Sequence, residues 1–132
     1  MITMMNTSQQ YDNALAKCKD IFSKKTTDYG TAWRILRTSS LTDQIFIKAN
    51  RIRTIQENGV SKVDEGVEPE FIGIINYCIM AIIQLELGND DRMDLETQET
   101  VNYYEKFSRA AKSLMEDKNH DYGEAWRDMR IS

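Results

Sequence analysis

The sequence predicts an all-α fold: a helical bundle of four long helices, with a short helical segment after each of two Asp-Tyr-Gly turns. Three observations predict it. Four separate stretches repeat apolar residues at intervals of three and four, the period of an amphipathic helix. Glycines or polar clusters fall where those stretches end. No stretch alternates apolar and polar residues as a half-buried strand would. The 132 residues form one helical domain, long enough to bury a core.

Tyr11, Ala14, Leu15, Cys18, Ile21 and Phe22 form the apolar stripe of the first helix, with Thr7 or Ser8 as its N-cap. After the first Asp-Tyr-Gly, "TAWRILR" predicts a short helical piece over 31–38. The second helix runs from a Ser40 or Thr42 cap to Gly59, and its stripe is Leu41, Ile45, Ile52 and Ile55, with Lys48 in line. Pro69 suits the first turn of a third helix, which ends at Leu87 before Gly88. That helix is apolar on nearly every side, which predicts the central, most buried element. Asn76, Gln84 and Glu86 interrupt it, so it reads as a buried helix rather than a membrane span. The acidic "GNDDRMDLET" links it to a fourth helix over 97–117, whose buried side carries Val101, Tyr104, Phe107, Ala111, Leu114 and Met115. A last short helical piece is expected over 124–131.

A net charge of −4 and a pI near 5.0 argue against a partner such as duplex nucleic acid, whose binders carry a basic footprint. Cys18 and Cys78 sit among apolar residues without paired spacing, so they read as reduced core residues of a cytoplasmic protein. The opening "MITMMNTSQQ" lacks the basic start and apolar run of a secretory signal, which fits the same location. Charge is uneven along the chain. Residues 19–53 hold eight Lys/Arg against three Asp/Glu, and residues 57–96 hold two against ten. Either this is an ordinary solvated surface, or a basic face for phosphate stands beside an acidic edge for a metal.

The chain writes Asp-Tyr-Gly-x-Ala-Trp-Arg twice. Shifted by 93 residues, 11–39 lies on 104–132 without a gap, and 11 of 29 positions are identical. The match includes the helix before the motif, which is the mark of a duplicated unit. Residues 11–88 read as one complete unit and 104–132 as the start of a second, truncated one. Within the motif, Asp28 can cap the short helix, Gly30 can take a positive φ and Trp33 can fill the core. Lys25, Arg34 and Arg37 recur as well, and long cations around a helix start suit a phosphate, with Tyr29 placed to stack on a base or sugar. The alternative is that these arginines pair with acidic residues of neighbouring helices. His120, the single histidine, reads as a surface residue near a helix end rather than a catalyst.

At "DYG", at Lys48 and Arg51, and at "DEGVEPEFIGIINYCIM", the sequence resembles the small all-α family of nucleotide-modification-associated domains of bacteria and phages. The resemblance covers roughly Lys25–Leu87. More loosely, the family is similar in layout to MazG-like nucleotide pyrophosphohydrolases, helical enzymes that hold Mg²⁺ with helix-borne carboxylates. The resemblance implies Lys48 and Arg51 as a basic pair, Asp64 and Glu65 as an acidic loop, and Asn76 with Tyr77 as a helix pair. Family members carry Asp at the positions of Pro69 and Gly73, and this chain has neither. The carboxylates that remain nearby are Asp64, Glu65, Glu68 and Glu70, which supply an octahedral Mg²⁺ shell poorly.

The candidate nucleotide- or phosphate-binding residues are therefore Lys25, Tyr29, Arg34, Arg37, Lys48 and Arg51. Asp64, Glu65 and Glu68 are the candidate ligands of Mg²⁺, the one cofactor in view. The sequence points to a helical protein that binds a nucleotide or nucleoside phosphate in nucleotide modification or metabolism, without a catalytic step it can name. Two alternatives stay open: a MazG-like Mg²⁺-dependent pyrophosphohydrolase, and a helical interaction module. No membrane partner is expected. The terminal segment with Ala125, Trp126 and Met129 lacks the helices that follow the first copy, so it is expected on the central helix or exposed. The surplus apolar surface of the 71–87 helix predicts a homodimer.

Overall fold

The computed structural model describes residues 6–59 and 66–129. It is an all-α fold of four helices, α1 (Thr7–Tyr29), α2 (Thr38–Asn58), α3 (Glu68–Leu87) and α4 (Thr97–Tyr122), with no strand among the described residues. Four-residue 3₁₀ turns at Ala32–Ile35 and Ala125–Asp128 are the short pieces after the two glycines.

Local chemistry moves several boundaries. Asn6, not Thr7 or Ser8, caps α1: its side chain accepts from the Gln9 amide at 2.8 Å, and the Gln9 side chain accepts from the Asn6 amide at 3.3 Å. Both Asp-Tyr pairs lie inside helices, so Asp28 caps nothing. α1 runs on to Tyr29, and Thr26 and Thr27 within it donate their hydroxyls to the Phe22 and Ser23 carbonyls one turn back. Gly30 and Gly123 then leave their helices in the same way, with φ/ψ of 65/−148 and 66/−163. Only glycine enters that region without strain. α2 begins at Thr38, ahead of the Ser40 and Thr42 caps expected, and its first turn has no side-chain cap.

α1 and α4 run antiparallel, joined by a reciprocal pair of salt bridges. Lys112 of α4 reaches Asp12 of α1 at 2.8 Å, and Lys19 of α1 reaches Glu105 of α4. The same 93-residue shift carries Asp12 onto Glu105 and Lys19 onto Lys112. Lys19 holds the Glu105 carboxyl below its ordinary range. α3 packs against α1, α2 and α4, while α2 packs chiefly on α3.

The core is Phe22, Ile79, Ile83 and Tyr104, with Leu15, Trp33, Met80 and Phe107 against it. The rings of Phe22 and Tyr104 lie 4.6 Å apart. A buried polar link ties three helices together. The Tyr104 hydroxyl donates to Asn76 Oδ1 at 2.7 Å, and Asn76 Nδ2 donates to the Cys18 carbonyl at 3.1 Å.

Two expectations about burial fail for one reason, the lack of neighbours. α3 is central but not covered all round: Phe71, Ile75, Cys78, Ile82 and Leu85 are exposed, so of the two cysteines only Cys18 is a core residue. By length and composition α3 could cross a membrane, yet its buried Asn76 is bonded within the bundle. Ala111 and Leu114 of α4 are exposed, where α4 runs on beside the first turns of α1. The terminal segment takes the exposed alternative expected for it: Trp126 is 43% exposed and lies beside Thr7, Gln10 and Tyr11 of α1 and Leu114 and Met115 of α4, not on α3.

Candidate functional site

The first Asp-Tyr-Gly turn is held by the segment that joins α3 to α4. Thr31 is buried, donates its hydroxyl to the Met93 carbonyl at 2.9 Å, and accepts from the Leu95 amide at 3.0 Å. A β-carbon on Gly30 would stand 3.3 Å from Asp94 Oδ1, so the segment also closes over the glycine. Arg34 aims all three guanidinium nitrogens at the same region. Nε donates to the Arg92 carbonyl at 2.9 Å, Nη2 to the Asp90 carbonyl at 2.6 Å, and Nη1 to Gln84 Oε1. Gln84 in turn donates to the Arg34 and Leu36 carbonyls at 3.0 and 2.8 Å. The segment is stiffened by Arg92, which bonds Asp90 and Glu99, each at 2.8 Å. Hydrogen bonds from Arg92 pull the Asp90 carboxyl down to about 2.

Beside this turn, α1, α2 and α3 enclose a groove of about 420 Å³. Lys25 and Tyr29 line it from the last turns of α1, Trp33 from the 3₁₀ turn, Lys48 from α2, and Glu70, Gly73, Tyr77 and Met80 from α3. The Lys48 stem lies across α3 at Gly73, and its ammonium stands 3.4 Å from Glu70 Oε2 and 5.9 Å from the centre of the Tyr77 ring. Arg51 Nε lies 3.5 Å from Glu70 Oε1. Glu70 is buried and faces two cations, so this corner keeps one positive charge in excess. Lys25 has no hydrogen-bond or ion-pair partner among the described residues, and Tyr29 is 75% exposed. The Trp33 Nε1 donor is buried with no partner among the described residues, an exception in a folded interior.

Of the sequence candidates, the structure brings together Lys25, Tyr29 and Lys48, with Arg51 reaching the groove's edge through Glu70. It separates Arg34 and Arg37, which border a different hollow next to the α3–α4 segment. Arg34 is occupied in holding that segment, the alternative already open for it, although its acceptors are a side-chain amide and carbonyls rather than acids. Of the three metal candidates, the structure describes only Glu68. Glu68 is exposed and pairs with Lys17 at 3.1 Å. Asp64 and Glu65 lie outside the described residues, among which no group of three metal-ligating side chains occurs. Sequence reasoning missed Glu70 as the partner of both basic residues. A carboxylate in the first turn of an otherwise apolar helix was the available signal. It also missed the use of Gly73, whose place inside a helix marks a close approach.

A second groove of about 700 Å³ lies between α1 and α4. Its α4 side is Leu114, Met115, Lys118 and Asn119, with Trp126 beside them. The 93-residue shift carries Ile21, Phe22, Lys25, Thr26 and Trp33 of the first groove onto those five residues. The opposite wall differs: α3 and Lys48 in the first groove, the first turns of α1 in the second.

Comparison with curated proteins and with solved structures gives no match. Comparison with family models gives one, described as Nucleotide modification associated domain 1, over residues 25–85. That span contains Lys25, Tyr29, Trp33, Lys48, Glu70, Gly73 and Tyr77, so most of the first groove is built by the stretch that matches this family's model.

Proposed function

We propose that the first groove binds the phosphate of a nucleotide or nucleoside phosphate, in a chain that serves nucleotide modification. One observation carries this: within the stretch that matches the family, a Lys25 without a partner among the described residues and a Lys48 only partly neutralised by Glu70 face one concave space beside the exposed Tyr29 ring. Two ammonium groups answer a phosphate's charge, and an aromatic face answers a base or sugar. Hydrolysis is not part of the proposal, because Glu68 and Glu70 are both engaged with cations.

Thermal unfolding with nucleoside mono-, di- and triphosphates, with and without Mg²⁺, tests it. A ligand at 100 times its Kd stabilises by about 2.7 kcal/mol. We expect that gain in the parent chain and in Lys118→Ala, and its loss in Lys25→Ala. Absence of any shift at millimolar nucleotide overturns the proposal.

A further inference from the structure

We propose that the free face of α3 is the seam of an antiparallel homodimer centred on Cys78. The exposed residues Phe71, Ile75, Cys78, Ile82 and Leu85 recur at intervals of four, three, four and three. That is the spacing of a helix that packs along a partner helix. No charged residue interrupts the row, and no described residue covers it.

The row is its own complement when reversed. With a second copy antiparallel and Cys78 on the two-fold axis, Phe71 faces Leu85, Ile75 faces Ile82, and Cys78 faces Cys78. A large residue then meets a large one at each end, and the smallest sits at the centre, as an isologous contact requires. The antiparallel direction also sets the helix dipoles head to tail, which a parallel pair would oppose.

α2 widens the face. Lys48 and Arg51 reach Glu70 and Gly73, so the antiparallel α2–α3 pair sets Phe46 level with Ile75. Five residues from Arg51, Phe46 points about 140° away from the Glu70 contact, and it is 66% exposed. Two helices about 10 Å apart and roughly 30 Å long present about 600 Å². A standard interface buries about 800 Å² per partner. One helix alone would fall far short. The segment from Asp121, the rival cover from the same chain, is already engaged elsewhere: Arg127 donates to Gln10 Oε1 at 2.7 Å and to Thr7 Oγ1 at 3.0 Å.

Sedimentation of the full chain at tens of micromolar tests the seam, beside mild copper–phenanthroline oxidation. The expected results are a dimer, a disulfide-linked band in the parent and in Cys18→Ala, and no such band in Cys78→Ala. Cys18 is 1% exposed and serves as the internal control. Ile75→Asp and Ile82→Asp should give folded monomers by circular dichroism. In a Cys78→Ala background, mixing Phe71→Cys with Leu85→Cys chains should link the two variants to each other rather than each to itself. A monomeric parent chain overturns the proposal, as does a dimer that survives Ile75→Asp, self-linking of Phe71→Cys, or flotation with phosphatidylcholine vesicles in place of self-association.

Discussion

The Lys48 side chain passes so close to Gly73 that a β-carbon there would lie 2.6 Å from the lysine Cε. The glycine thus makes room for the cation that enters the groove. Gly73→Ala should force the flexible lysine aside rather than the backbone. Alanine also favours the helix, by roughly 0.5–1 kcal/mol over glycine. We expect unfolding stability to hold or rise by up to about 1 kcal/mol while the nucleotide-induced thermal shift shrinks. Stability and binding moving in opposite directions would separate a ligand role for Lys48 from a structural one.

Glu70 makes the basic pair hard to remove cleanly. Its side chain is 12% exposed and faces both Lys48 and Arg51. Replacing both cations by Ala strands a buried carboxylate, at a cost of roughly 3 kcal/mol, the low end for a broken buried pair because Arg51 is mostly exposed. Adding Glu70→Gln should restore most of that stability, and urea unfolding of the double and triple variants measures the difference. Equal stabilities would show that the carboxylate does not depend on its partners.

The Tyr104 hydroxyl sits in the buried link to Asn76. Burial, the largest effect, lifts the phenol well above its ordinary 10.0. The folded chain therefore keeps this proton where the unfolded chain gives it up. The resulting stability is complete below pH 10 and is lost as pH rises beyond it. Tyr104→Phe should cost about 1–3 kcal/mol at neutral pH, since Asn76 Oδ1 loses its donor. It should also flatten the fall in stability above pH 10, read from urea midpoints between pH 8 and 11.

The fold was legible because helical spacing is written in neighbouring residues. Phe22 and Tyr104 lay on predicted stripes, and Ile79 and Ile83 on the helix read as the central one. The helix ends were less so: α1 runs through Thr26 and Thr27 to Tyr29, past the last apolar residue of its stripe, where periodicity gives no signal. Hydropathy marked α3 as central with apolar surface to spare but not which side would stay open, because it registers apolar residues and not how many helices are at hand to cover them. In the site, Lys48 stood out as a cation in line with an apolar stripe, and Lys25 and Tyr29 through repetition. Repetition misled for Arg34, since a fold repeats its anchors as faithfully as a site repeats its ligands.

That difference can be measured by making one substitution at both copies of the motif. Arg34 is half-buried and donates to the Arg92 and Asp90 carbonyls and to Gln84. Arg127 lies on the exposed terminal segment, stacks 4.6 Å from the Trp126 ring centre, and reaches Thr7 and Gln10. Arg34→Ala leaves several acceptors unpaired at once and frees the segment that closes over Gly30, so we expect a loss of about 2–3 kcal/mol. Arg127→Ala should cost under about 1 kcal/mol, as for a surface contact, and should shift Trp126 emission to the red, read in a Trp33→Phe background. Equal losses at the two positions would mean that the second copy is anchored as firmly as the first.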